Sequence, residues 1–448
     1  MDVGAGDDPL KVTNGHVRSW ELSDGDAMYL HGVCDGEMDF VYSSHCLEHL
    51  LHFDYALINW IRVLKPGGIL YVVVPDYELY EKCSWPSRFN PDHKASFSLR
   101  ISRRQVGGRA NHYHLLDDVV PFLNRYGVQL LEVRLEDYGF DYSASADCDQ
   151  TLGAATAQLC LIGRKVPLNG AALFIRNELG AGDHANILPA LRYLTNIGYE
   201  VVAHRVYSLY DHLRVRDPPV DHAIEIPVHF QPEKNLPATQ LCEELRERLG
   251  LDISGIVFPG VCFSADEFRR VRGLSQCPYV NVFPYTSIRQ KVIDPQIVRT
   301  VVRHIESRGI PVFTTRLTND DAYPWSELFR NFRPMHPAHF HRQWILEVAG
   351  AALNVCCDGG PLNVSLSCGT PTLGLLTIAD ASLMSFYPPW QWRAVASNFP
   401  CSPCFRAADY GSKRVSGCDH LEDSCGSHFS EATVLRAIDE LLAEPQPS

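Results

Sequence analysis

The chain has 448 residues, 46% of them apolar and 21% charged, which is material for about three globular units and excludes a largely disordered chain. Its charge sum of −13 argues against a broad electrostatic grip on nucleic acid. The longest strongly apolar runs, around Ile69–Pro75 and Pro371–Thr377, fall far short of the ~20 residues of a membrane helix, so no transmembrane segment is expected, while peripheral membrane contact stays open.

The chain opens with MDVGAGDDPLK, without the basic-then-apolar order of a secretory signal. With fifteen cysteines that read as mostly reduced and buried, the expectation is a cytoplasmic protein. Asp2-Val3-Gly4-Ala5-Gly6-Asp7-Asp8-Pro9 has the form of a Gly-x-Gly turn at a strand end, where glycines let backbone approach a ligand closely. Glu21 follows the strand-like Val17–Trp20, a place where an acid can accept ribose hydroxyl protons. Asp24-Gly25-Asp26-Ala27 then offers an acid near an adenine amino group. Asp39–Tyr42 is a short strand leading into Ser43-Ser44-His45-Cys46-Leu47-Glu48-His49. Phe53–Leu64 has helical spacing, Lys65-Pro66-Gly67-Gly68 ends that helix, and Ile69–Val74 reads as a buried parallel strand. His45 and His49, four apart, read as capping or packing residues rather than a metal pair, because no third ligand is evident nearby. His112 and His114 are minor candidates for a base that removes a hydroxyl proton.

A basic pair, a proline and an Asn-Gly pair in Arg164–Gly170 separate a second block. There Ala171–Ile175, Val280–Phe283, Pro311–Thr315, Leu353–Cys356 and Thr372–Leu376 read as strands, and Ile187–Ile197, Pro295–Ser307 and Arg342–Ala351 as helices. Strand–helix alternation in both blocks predicts α/β units with parallel sheets. Gly180-Ala181-Gly182-Asp183 places an acid at a helix N-terminus, outside the strand ends. Thr286, Ser287 and Lys291 follow the Val280–Phe283 strand and suit a diphosphate. Asp358-Gly359-Gly360 follows another strand and opens a helix, exposing backbone N–H groups to phosphate. His336, His339 and His341 lie among prolines and arginines and read as a surface loop. For Cys401, Cys404, Cys418 and Cys425, a structural metal cluster, reduced thiols and disulfides all stay open.

The ordered motifs of residues 1–165 resemble class I S-adenosylmethionine-dependent methyltransferases, especially those found beside cell-surface polysaccharide genes. Trp85–Lys94 and Tyr138–Tyr142 with Asp149-Gln150-Thr151 add to the likeness. The resemblance implies a Rossmann-like α/β domain that binds S-adenosyl-L-methionine through Asp2, Gly4, Gly6, Glu21, Asp26, Ala27 and Ser43. In that family a central strand precedes the glycine turn; only Met1 precedes Asp2 here, so that strand is expected to be missing.

Residues 171–448 resemble the family 9 glycosyltransferases, the bacterial heptosyltransferase group. The likeness implies a two-lobed GT-B architecture of two Rossmann-like lobes, with a nucleoside-diphosphate sugar as donor. It carries the general base to Asp183 and the donor contacts to Thr286, Ser287, Lys291, Asp358, Gly359 and Gly360. Asn363 stands where many members have a histidine, which puts a heptose donor in doubt. The expected domains are 1–165, 166–275 for an acceptor lobe and 276–448 for a donor lobe. Together they imply a bifunctional enzyme of surface-glycan assembly acting on small-molecule and glycan or glycolipid substrates, with no metal required and no nucleic-acid partner. A glycosyltransferase with a non-catalytic first block is the alternative. An epimerase-like enzyme fits less well, lacking a Tyr-x-x-x-Lys pair at the expected place.

Overall fold

The computed structural model describes residues 1–167, 171–177, 181–205, 208–218, 222–228, 237–286, 288–315, 325–333, 341–381, 386–404, 408–409, 414–415 and 425–443. The chain divides into two compact units, one mainly of residues 1–170 and the other mainly of residues 171–446.

The first unit is built on β1 (Asp2–Val3), β2 (Ser19–Trp20), β3 (Met38–Ser44), α1 (Phe53–Val63) and β4 (Leu64–Pro75). A small parallel pair, β5 (Ser96–Ser98) and β6 (His112–His114), precedes α2 (Val120–Arg125), β7 (Val128–Glu136) and β8 (Gln158–Lys165). The main sheet has the order β2-β1-β3-β4-β8-β7. Its first four strands run parallel, and β8 is antiparallel to both β4 and β7. A two-residue strand, β1, precedes the glycine turn and lies between β2 and β3. One sequence expectation changes here. The Ile69–Val74 strand is parallel on its β3 side only.

Helix α1 carries Tyr55, Ile58, Trp60 and Ile61 into the core, where Trp60 and Ile61 are fully buried. Its buried Arg62 is satisfied by the carbonyls of Val33, Tyr29 and Leu30 and by Asp35. The helix stops at Val63, and β4 begins at the next residue. Lys65–Gly68 is therefore no loop: the β3–β4 register shifts between Met38 and Phe40, and these residues form the bulge. Gly67 has φ of 83°, and a Cβ on Gly68 would stand 2.9 Å from the Asp39 carbonyl oxygen, so only glycines fit there.

The second unit contains two wholly parallel sheets. The first has the order β11-β10-β9-β12, formed by β9 (Ala172–Asn177), β10 (Glu200–Ala203), β11 (Val215–Arg216) and β12 (Ile224–Val228), with α3 (Ala181–Asn196) between β9 and β10. After α4 (Pro237–Leu249) and α5 (Ala265–Ser275) come β13 (Val280–Phe283), α6 (Pro295–Glu306), β14 (Val312–Thr315), α7 (Trp325–Leu328), β15 (Asn331–Arg333) and α8 (Arg342–Ala349). Then follow β16 (Leu353–Cys357), α9 (Gly360–Ser367), β17 (Thr372–Leu376), β18 (Trp392–Ala396) and α10 (Glu431–Ala443). Their sheet runs β15-β14-β13-β16-β17-β18.

Parallel strands buried on both faces need continuous apolar side chains, and β13 and β16 meet that need. Val280, Val282, Leu353 and Val355 pack with Val298, Val301 and Ile305 of α6. Polar pins join the two sheet systems. Arg192 of α3 donates to the carbonyls of Pro259 and Gly260 at 2.9 and 2.8 Å, and Ser367 of α9 donates to that of Ala185 at 2.6 Å. These bonds tie α3 to α9 and to the segment that precedes α5.

Candidate functional site

In the first unit the glycine turn leaves β1 with Gly4 and Gly6 both at positive φ, 73° and 57°. A Cβ on Gly4 would stand 2.7 Å from Cβ of Cys46, so the turn packs directly on the segment that follows β3. A Cβ on Gly6 would meet nothing within 4 Å; that side of the turn is open. Glu21 reaches the turn, accepting the Gly6 N–H at 2.7 Å. The sequence-predicted residues divide by role. Asp2 is 2% exposed, and its carboxylate accepts the Leu10 N–H at 2.7 Å, so it closes the turn; burial pushes its pKa up. Ser43 is buried and donates to the Val3 carbonyl at 3.1 Å, locking β3 to β1. Asp26 accepts the Met28 N–H at 2.7 Å, and burial raises its pKa too. The Ala27 carbonyl is held by the Trp60 indole N–H at 2.8 Å. Asp2, Gly4 and Ser43 thus shape the loop through their own contacts.

The two candidate bases have structural employment instead. His112 is fully buried, with Nε2 2.8 Å from the Ile101 carbonyl and Nδ1 2.9 Å from Ser96 Oγ, and burial lowers its pKa. His114 bridges the Leu99 carbonyl at 2.8 Å and the Asp117 N–H at 3.2 Å. Nor do His45 and His49 share a helix face. His45 sits at φ 54°, ahead of a 3-10 turn over Leu47–His49. The neighbours that do gather at that turn are Glu48 and His93, which the sequence reading did not single out.

In the second unit Asp183 lies in the first turn of α3, half-buried, where the helix dipole favours the carboxylate. A Cβ on the adjacent Gly182 would fall 2.5 Å from Cα of Gly360, so the α3 and α9 N-termini meet through their glycines. Asn363 of α9 is buried, and its Oδ1 lies 3.5 Å from Nδ2 of Asn186 of α3, whose side-chain Oδ1 accepts the Ala238 N–H at 3.1 Å. Lys291 ends a 3-10 turn and stands 3.3 Å from Asp358; the second Asp358 oxygen accepts the Ala379 N–H at 2.9 Å. Thr286 packs against Gly359, its Oγ1 3.4 Å from where a Cβ would be. Gly182 thus lies against Gly360, Thr286 against Gly359, and Lys291 against Asp358. Ser287 lies outside the described residues. Asn186 is the member the sequence missed; an asparagine inside an amphipathic helix gives no pattern signal.

Of the late cysteines, Cys401 and Cys404 are half-buried and Cys425 is buried, while Cys418 lies outside the described residues, as do His336 and His339. His341 caps α8, accepting the Gln343 N–H at 3.3 Å. Among the described residues, no helix is long and apolar enough to cross a membrane.

Residues 8–72, from just beyond Gly6 through most of β4, match a family model described as "Methyltransferase domain". The match to a methyltransferase domain lies within the first unit. A search of curated proteins gave no match. Among solved structures, the chain is similar to the E. coli heptosyltransferase WaaC with ADP, at 13% identity over 50% of this chain and 93% of that one, TM-score 0.39. It is also similar to a glycosyl transferase family 9 protein from Veillonella parvula, at 13% identity over 62% and 99%, TM-score 0.43. A third likeness is to the complex between the Haloferax volcanii Trm112 methyltransferase activator and its putative methyltransferase, at 19% identity over 32% and 60%, TM-score 0.22.

Proposed function

We propose that the chain is a bifunctional transferase of surface-glycan assembly, coupling S-adenosyl-L-methionine-dependent methyl transfer to inverting glycosyl transfer from a nucleoside-diphosphate sugar. The observation that supports the second activity is the meeting of the α3 and α9 N-termini through Gly182 and Gly360, the neighbours in sequence of Asp183 and of the Asp358 loop. A carboxylate in that place can accept the proton of an acceptor hydroxyl as the new bond forms. The α9 N-terminus offers backbone N–H groups to a diphosphate, and Lys291 adds a cation as charge develops on the leaving group. Asp358, 3.3 Å from the Lys291 ammonium, is assigned the part of positioning it.

The methyltransferase domain match supports the first activity, and the turn geometry fits the cofactor. The turn is open at Gly6, and Glu21, which accepts the Gly6 N–H, is assigned to the ribose hydroxyls. S-adenosyl-L-methionine supplies an activated methyl group; the protein's part is to align an acceptor nucleophile with it. Asp26, partly buried and next to Ala27, is assigned to the adenine amino group.

The test is product formation by the full-length chain, supplied with S-adenosyl-L-methionine, a panel of nucleoside-diphosphate sugars and glycan acceptors. Release of S-adenosylhomocysteine and of a nucleoside diphosphate is expected, each silenced by a different variant: Gly6→Ala for the first and Asp183→Asn for the second. Joint loss in either variant contradicts two separate sites.

A further inference from the structure

The turn after β3 holds a group of side chains that neither proposed reaction uses. Lys94 and Ala95 both donate backbone N–H groups to the Glu48 carbonyl, at 2.7 and 3.0 Å, which clamps the His93 segment onto the Leu47–His49 turn. The clamp brings Glu48, His49 and His93 together, with one ligand-capable atom of each within 4.8 Å of the others. The Glu48 side chain is 1% exposed, and neither of its oxygens has a hydrogen-bond partner. Both histidines turn Nε2 toward the same Oε1, at 3.9 Å from His49 and 4.0 Å from His93.

The far nitrogens show why this is more than a charged cluster. His93 Nδ1 lies 2.6 Å from the buried Glu81 carboxylate, and His49 Nδ1 lies 3.2 Å from Asp92. A carboxylate on Nδ1 fixes the ring proton there and aims the Nε2 lone pair the other way, the arrangement that orients metal-bound histidines. Two Nε2 atoms and a buried carboxylate without a hydrogen-bond partner then face one spot, a donor set that a cation would satisfy. His45 adds a fourth neighbour: its Nδ1 is 3.6 Å from Oε1, while its Nε2 meets Gln158 at 2.9 Å.

We propose that Glu48, His49 and His93 form a site for a divalent first-row transition ion, zinc foremost. Two imidazoles and one carboxylate are a donor set for such ions, and three protein ligands leave a position open to water or substrate. Bonds of about 2.1 Å would set tetrahedral ligand atoms roughly 3.4 Å apart, so each Nε2–Oε1 gap closes by about half an ångström on loading. Small side-chain rotations supply that. Sequence spacing hid the site because His93 lies 44 residues beyond His49.

The test is a cobalt titration of the full-length protein after chelator treatment, followed by displacement with zinc. Visible bands of a four-coordinate cobalt site without thiolate charge transfer are expected, at one equivalent, which separates this site from any ion on the late cysteines. His49→Ala should abolish those bands. Asp92→Asn changes a side chain that is 71% exposed, so the fold is kept, and it should weaken binding about 10- to 100-fold. A protein that shows no such bands at millimolar cobalt carries a histidine–carboxylate ion-pair network and no metal site. Bands that survive intact in both variants would place the ion elsewhere and equally overturn the assignment.

Discussion

Lys291 Nζ stands 3.3 Å from Asp358 Oδ1, joining the turn after β13 to the loop after β16. Asp358 also takes the Ala379 N–H, so both of its oxygens are engaged and its part in the proposed donor site is to position the ammonium. Lys291→Ala should weaken nucleoside-diphosphate affinity about 10- to 100-fold, the equivalent of one charge-assisted hydrogen bond of ~1.5–3 kcal/mol. Asp358→Asn should weaken it less, because the lysine remains but is no longer held. Calorimetric dissociation constants check the order; an Asp358→Asn defect exceeding that of Lys291→Ala would make the carboxylate the principal contact.

Asp183→Asn keeps size and helix-capping capacity and removes the proposed base. Glycosyl transfer should fall on the order of 100- to 10,000-fold with donor affinity nearly unchanged. The measurement is transfer rate beside nucleoside-diphosphate affinity. A variant that transfers sugar at the parental rate removes Asp183 from the chemistry, and one that loses donor binding makes it part of the phosphate site.

Gly4 and Gly6 should respond differently to alanine. Both sit at positive φ, which costs a residue with a Cβ roughly 1–2 kcal/mol. At Gly4 the new Cβ also collides with Cys46 at 2.7 Å, whereas at Gly6 the space is open. Gly4→Ala should therefore lower the melting temperature of the first unit more than Gly6→Ala does, while Gly6→Ala still loses S-adenosylhomocysteine binding. Thermal melts with and without ligand decide this.

Much of the architecture was legible because buried parallel strands declare themselves: β13 and β17 have the bounds their apolar runs suggested. The β3–β4 bulge was not, since Lys-Pro-Gly-Gly has the same composition whether it stops a helix or buckles a strand; the β3 register decides it. Candidate residues that belong to local motifs, such as Glu21 beside the glycine turn, were readable as candidates. Those made by long-range pairing, such as Asn186 with Asn363 or His93 with Glu48, carry no local signal. The roles of Asp2 and Ser43 in closing the turn likewise emerged only from their partners, Leu10 and Val3.

Asp76, just beyond β4, is 2% exposed and accepts the Glu78 and Leu79 N–H groups at 3.0 and 2.8 Å, yet burial pushes its pKa up from 3.8 to about 6. The folded protein therefore binds this proton more tightly than the unfolded chain. The resulting stabilisation is complete below about pH 4 and lost as pH rises through about 6. Asp76→Asn, which still accepts both N–H groups, should stabilise the first unit at pH 7–8 by up to about 3 kcal/mol. The difference should vanish near pH 4. Melts across this range that show a constant difference would contradict the buried-carboxylate account.

The central claim is that one chain holds two separate ligand sites, and calorimetry of the full-length protein tests it most directly. Titration with S-adenosylhomocysteine and then with a panel of nucleoside diphosphates should give two one-to-one events, each with the same affinity whether or not the other ligand is present. Glu21→Gln should weaken only the first and Lys291→Ala only the second. Silence toward S-adenosylhomocysteine at millimolar concentration would leave the first unit a docking module, and silence toward every nucleoside diphosphate would remove the glycosyl-transfer reading. Either result contradicts the account.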